Sequence, residues 1–151
     1  MLELQFFEHR LDVIGVQEGR SPHTEQTEGQ HYTMYAAAVA TDGSLGVQAW
    51  VKHGVPVLSW HVTSPRVMHV IAGWAGYEVG YLVAHAPHSM APETVRLGWW
   101  ADLTALLVHL VSRFRIPWAL LVDANGRVGS VASSVVGPSN QELENSNGCS
   151  L

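Results

Sequence analysis

A single cysteine stands in the chain, Cys149, close to the C-terminus. With no second thiol an internal disulfide is excluded, and a reducing compartment is the simpler setting. The terminal Cys-Ser-Leu also misses the prenylation pattern, which needs its cysteine one position earlier. Positive charge is scarce too: 8 Lys and Arg against 13 Asp and Glu leave a formal charge of -5. That excludes the broad basic face on which general phosphate affinity rests, so any contact with nucleic acid is local. No window approaches the roughly 18 uninterrupted apolar residues of a membrane helix. "MLELQFFEHR" places Glu3 and Glu8 where a secretory leader is basic and then apolar. These absences predict a soluble intracellular chain, nuclear or cytoplasmic, with no membrane partner. Internal repeats and low-complexity linkers are missing as well.

What is present is a globular composition, with 47% of residues hydrophobic and 14% charged. One domain is expected, burying roughly 70% of the surface that the unfolded chain exposes. Leu2, Phe6 and Phe7 lie at helical spacing and predict the end of a helix before Arg10. "DVIGVQE" reads as a short buried strand terminating at Gln17 and Glu18, and residues 19–31, polar with Gly and Pro, read as a loop. "YTMYAAAVAT" and "LGVQAWV" read as extended stretches joined by "DGS", where glycine takes positive φ at no steric cost. "SPRVMHVIAGW" and "YEVGYLVAHAP" read as another strand pair joined near Gly76. After Pro92, the residues Val95, Trp99, Trp100, Leu103, Leu106, Leu107, Leu110 and Phe114 recur at three- and four-residue steps. They predict a helix that Pro117 stops. "WALLVDAN" reads as the last strand, and residues 131–151 as an irregular tail. Helix, strands, helix, strand fits an α/β fold with a mixed sheet.

Polar groups collect where these strands end. Glu18 follows "DVIGVQ", His85 and His88 stand in "VAHAPHS", and Asp123 and Asn125 close "LLVDAN". Loops at strand ends hold ligands in α/β folds because the sheet supplies rigidity. A carboxylate together with a carboxylate-and-amide pair is a hard-oxygen set suited to Mg²⁺, with Mn²⁺ as the alternative ion. On an extended backbone residues two apart point the same way, so Asp123 and Asn125 would face one phosphate. Plainer readings stand beside these. Glu18 alone is a solvated loop carboxylate, and Asp123 and Asn125 are turn formers before Gly126. His85 and His88 have the step of some zinc pairs, yet Pro87 breaks a helix there and no Cys or acid pair completes a tetrahedron. Trp99 and Trp100 could stack on bases, but their helical spacing points to core packing. Arg127 reads as a phosphate contact or as solvated surface.

In their order along the chain these segments resemble the endonuclease/exonuclease/phosphatase superfamily. "DVIGVQEGR" is similar to its glutamate-bearing strand, "YLVAHAPHS" to its "YAP" strand and the helix after it, and "LLVDANGRVGS" to its "GDFNA" strand. "LGVQAWV" is similar to the sheet strand between them. "VGPSNQELENSNG" resembles the loop after that last strand in the endonuclease domains of non-LTR retrotransposons. The likeness implies a partial four-layer α/β sandwich, a mixed β-sheet with flanking helices, and a Mg²⁺-dependent phosphodiesterase of the DNA endonuclease class. On the matching positions it makes Glu18 the metal ligand and Asp123 the acid that orients or deprotonates the attacking water. Asn125 becomes a phosphate-binding amide that stabilises the transition state. His85 stands where the family has a phosphate-contacting tyrosine, and an imidazole can donate a hydrogen bond as a phenol does. Val122 stands where the family has glycine.

The family also implies an asparagine-bearing strand ahead of the first helix, and a second sheet carrying an Asp and a catalytic His beyond the last strand. Neither is found in residues 1–151. The expectation is therefore one partial domain over residues 1–151, truncated at both ends, with a sheet face left bare for a partner. A metal held by Glu18 alone would be weakly bound, and no distal His would stabilise the pentavalent phosphorus. Weak or no activity is expected of the chain by itself. Three functions follow: a DNA endonuclease, a hydrolase of another phosphoester, or a non-catalytic remnant acting as an interaction module. DNA is the partner of the first, and a homodimer or the remainder of a longer polyprotein would complete the sandwich.

Overall fold

The computed structural model describes residues 2–41, 45–74 and 76–126. They form α1 (Leu2–Glu8), β1 (Val13–Val16), β2 (Glu25–Glu28), β3 (Tyr32–Ala36), β4 (Gln48–Lys52), β5 (Val57–Ser64), β6 (Val67–Trp74), β7 (Tyr77–His85), α2 (Glu93–Phe114) and β8 (Trp118–Asp123). The strands make two four-stranded sheets, β1-β4-β3-β2 and β5-β6-β7-β8. The first is antiparallel throughout. The second is mixed. Its β5, β6 and β7 are antiparallel, whereas Gly80 N donates to Pro117 O and Ala86 N to Asp123 O, a pairing that climbs both strands together. β7 and β8 are therefore parallel, and the chain between them returns through α2. By contacts the chain divides into two compact units, Met1–His85 with Phe114–Val122, and Ala86–Arg113 with Asp123–Leu151.

In the first unit the sheets bury each other. Tyr35, Ala37, Val47, Ala49 and Val51 meet Met68, Val70 and Val83, and none of these is more than 5% exposed. The two-residue spacing of Ala49 and Val51 on β4, and of Met68 and Val70 on β6, puts each pair on one face. Gly15 of β1 permits a close approach, because a Cβ there would stand 2.8 Å from Leu121 Cβ and 3.1 Å from Val83 Cγ1. This corrects the expectation of a bare sheet face. The second layer comes from within the chain, whose strands divide between two sheets that cover each other.

α1 is too short to persist alone, and specific contacts hold it in this unit. Glu3 accepts from His31 N at 2.6 Å and Tyr32 N at 3.0 Å. The His31 amide, above all, holds the Glu3 carboxyl below its ordinary value, against an opposing effect of burial. Phe7 stacks on His31 with centroids 3.9 Å apart, and Phe6 meets Tyr32 and Trp50 edge-on.

Two strands escape pattern reading. β2 lies inside the segment expected to be a loop; Glu25–Glu28 carries no apolar alternation and is held by antiparallel pairing to β3 as a polar edge. β5 is marked by no clean period because register shifts interrupt its pairing with β6, and Leu58 is 54% exposed. The β6–β7 turn falls at Gly76, φ 102°, as expected. In the second unit α2 begins just after Pro92 and buries Leu103 and Leu110, while Trp99 and Trp100 meet edge-on at 4.8 Å. The "DGS" turn and the tail over residues 131–151 lie outside the described residues. Among the described residues no helix is long and apolar enough to cross a membrane.

Candidate functional site

β1 delivers Glu18 through the residue before it. Gln17 Nε2 donates to Leu121 O at 3.0 Å and to Ala84 O at 3.4 Å, so one side chain ties the end of β1 to the ends of β7 and β8. Glu18 then takes a left-handed backbone, φ 56°, and Arg20 another, φ 52°. Non-glycine residues persist there when their surroundings hold them. Gly19 N donates to Gly46 O at 2.8 Å. Buried Gln48 donates from Nε2 to Gly19 O and Ser21 Oγ, each at 3.0 Å, while its Oε1 accepts from Trp50 Nε1 at 3.0 Å. Only glycine fits at position 19, since a Cβ would lie 2.4 Å from Gln48 Cδ. The loop presents the Glu18 carboxylate to solvent, 61% exposed, with Arg20 Nη2 3.9 Å away. Such an exposed pair contributes little and yields readily to a stronger partner.

His85 closes β7 and is 6% exposed. Its backbone is bound both ways to Arg66: His85 N donates to Arg66 O at 2.9 Å, and Arg66 Nη1 donates to His85 O at 3.1 Å. The main chain at this strand end is fixed, and the imidazole is shielded from solvent.

In the second unit Asp123, Asn125 and Ala86 form one hydrogen-bonded knot. Ala86 N donates to Asp123 O at 2.8 Å, Asn125 N to Asp123 Oδ1 at 2.9 Å, and Asn125 Nδ2 to Ala86 O at 2.8 Å. Asn125 has φ 47°, a left-handed value that asparagine tolerates better than most residues. This corrects the expectation of an extended pair. The strand ends at Asp123, whose carboxylate closes a turn onto the Asn125 amide. The Asn125 side chain is oriented by a backbone carbonyl from the other parallel strand's exit, not by strand period.

Arg127 lies outside the described residues. His88 Nδ1 accepts from Met90 N at 3.2 Å, which makes it a loop residue ahead of α2. Among the described residues no group of three or more His, Cys, Asp or Glu could hold a metal ion. Sequence reading missed Gln17 and Gln48 as supports for Glu18. The signal for Gln48 was a lone polar residue between Val47 and Ala49 in an apolar strand; Gln17 was hidden beside the carboxylate it positions.

No family model and no curated protein matches the chain. Among solved structures, the endonuclease domain of TRAS1, a telomere-specific non-LTR retrotransposon, superposes with a TM-score of 0.66 at 12% sequence identity. The match covers 98% of this chain and 58% of that domain, so the chain spans little more than half the length of the structure it resembles. Likeness at this identity bears on architecture alone. The two sheets and helices place the chain in the mixed α/β class, with a fold of the endonuclease/exonuclease/phosphatase type.

Proposed function

We propose that the chain is a nuclease-type phosphodiesterase acting on DNA, with Mg²⁺ as its ion and low turnover by itself. Glu18 is the metal ligand. Its exposed carboxylate is a hard oxygen donor, and one or two such donors suit Mg²⁺, which keeps waters and takes its remaining oxygens from a substrate phosphate. A bound ion there would neutralise phosphate charge. The observation that carries the proposal is the Asp123–Asn125–Ala86 knot, which holds an acid and an amide in fixed relation at the end of a strand. Asp123 takes the proton as water attacks phosphorus and the scissile P–O bond breaks. Asn125 steadies the charged oxygens and Arg127 binds the phosphate, while the buried His85 would reach it only if the end of β7 opens. A single metal-binding carboxylate accounts for the low turnover.

The test is nicking of supercoiled plasmid by the purified chain with Mg²⁺, beside Asp123→Ala and an EDTA control. Metal-dependent nicking by the parent, reduced on the order of a hundredfold in the variant, supports these roles. Nicking that survives Asp123→Ala removes the assignment. No nicking by a cooperatively folded parent favours a non-catalytic interaction module, a reading to which the commitment of Asp123 Oδ1 to a backbone amide also points.

A further inference from the structure

The sheet β5-β6-β7-β8 ends at β8, whose far edge pairs with no strand among the described residues. Along a strand, successive residues turn their backbone groups to opposite sides. Pro117 O accepts from Gly80 N on β7, and Asp123 O from Ala86 N just past it. The odd positions from 117 to 123 therefore face β7, and Trp118, Leu120 and Val122 aim their N–H and C=O groups outward. Parallel strands are ordinarily covered on both faces. Here the stretch Trp118–Val122 carries no charge, and Leu120 is 47% exposed. The other three edges are guarded by devices that discourage strand addition. β2 carries Glu25 and Glu28, β5 is broken by register shifts near both ends, and β1 is only four residues long.

The register of β8 selects its occupant. A second β8 laid antiparallel, about a two-fold axis through Leu120 and normal to the sheet, sets Leu120 against itself and Trp118 against Val122 on either side. All three pairs consist of outward-pointing residues. Each pair exchanges two N–H···O bonds, about six in all, and no outward group of Trp118, Leu120 or Val122 is left over. Opposed residues share a face, so the Trp118 indole meets the branched Val122 side chain and the two leucines meet each other. Asp123 falls opposite Pro117, which keeps the two carboxylates at opposite ends of the pair, whereas a parallel copy would set them side by side. We infer that the free edge of β8 docks a second copy of this chain, joining two four-stranded sheets into one of eight. The contact is small, so the dimer is weak and forms as concentration rises. The inference stands apart from the phosphodiesterase reading.

The experiment is amide hydrogen exchange on the full chain over about a hundredfold range of concentration, with light scattering, since dimerisation follows mass action. The expected mass rises from that of one 16.5 kDa chain towards twice that value. Exchange at Trp118, Leu120 and Val122 should slow by about tenfold once about nine-tenths of the chain is dimeric. Ala119 and Leu121, turned towards β7 in both states, should not change. Leu120→Lys sets like charges face to face at an exposed position and should leave a folded monomer by circular dichroism. Leu120→Cys in a Cys149→Ser background should form an intermolecular disulfide on mild oxidation, because opposed Cα atoms in such a pair stand about 5.5 Å apart. Leu58→Cys, exposed on β5, should not. A chain monomeric at every concentration overturns the inference. So does a dimer in which the three outward amides exchange at the monomer's rate, as they would if the copies met through another surface.

Discussion

Gly80→Ala tests the packing that carries β8, and with it Asp123, beside β7. Gly80 is buried, and a Cβ there would stand 2.5 Å from Cδ2 and Cε3 of the Trp118 indole and 2.6 Å from Cζ3. Carbon atoms rest about 3.5–4.0 Å apart, so the ring must withdraw by about 1 Å. Its surroundings resist this: His69 meets it edge-on at 5.8 Å, Phe114 lies 6.1 Å away, and Gly80 N is bonded to Pro117 O at 2.9 Å. Overpacking of this kind costs about 1–3 kcal/mol, while alanine recovers about 0.5–1 kcal/mol of glycine's conformational cost in a strand. Taken at the middle of both ranges, the net loss is about 1 kcal/mol, which lowers the thermal midpoint of a chain this long by about 2–4 °C. Melts followed by circular dichroism would measure it. In a Trp118→Leu background the same substitution should cost nothing, which isolates the ring contact as the cause. An unchanged or raised midpoint, or an equal drop in both backgrounds, would refute the reasoning.

Two further outcomes follow from the first unit. Glu3→Gln weakens the anchor of α1. Because the folded Glu3 carboxyl titrates below its ordinary value, its contribution is fully present above the unfolded value of about 4.5 and is lost as pH falls through the folded one. Urea midpoints of parent and variant should therefore differ at neutral pH and converge in acid; a constant gap across pH would count against the carboxylate. Gln48→Leu removes the partner of Gly19 O, Ser21 Oγ and Trp50 Nε1 together, at a cost of about 2–4 kcal/mol in denaturant melts. A loss below about 0.5 kcal/mol would mean that water replaces these bonds.

The fold class was legible because its signals are local. The strand at Tyr77–His85, the helix bounded by Pro92 and Pro117, and the strand running to Asp123 each carry their own pattern. What failed depended on distant partners. Glu25–Glu28 is a strand only because β3 lies beside it, and β5 is interrupted by register shifts that no periodicity announces. Division of the strands into two facing sheets likewise rests on residues far apart, such as Gly15 and Leu121. At the candidate site the residue types were visible and their posture was not. Asn125 leaves the strand in a left-handed turn set by Ala86 O, and Glu18 is positioned by glutamines that look unremarkable in the sequence.

The Gln17 side chain joins Leu121 across 104 positions of sequence. On a ribosome this bond has an order imposed on it. β1, β3 and β4 emerge early and can pair while the rest is still being made, but the acceptor on β8 does not exist until translation has passed α2. Contacts of such long separation form late and slowly. A nascent chain thus carries the Glu18 carboxylate on a strand end held from one side only, and the second tether closes after the acceptor carbonyl has cleared the exit tunnel.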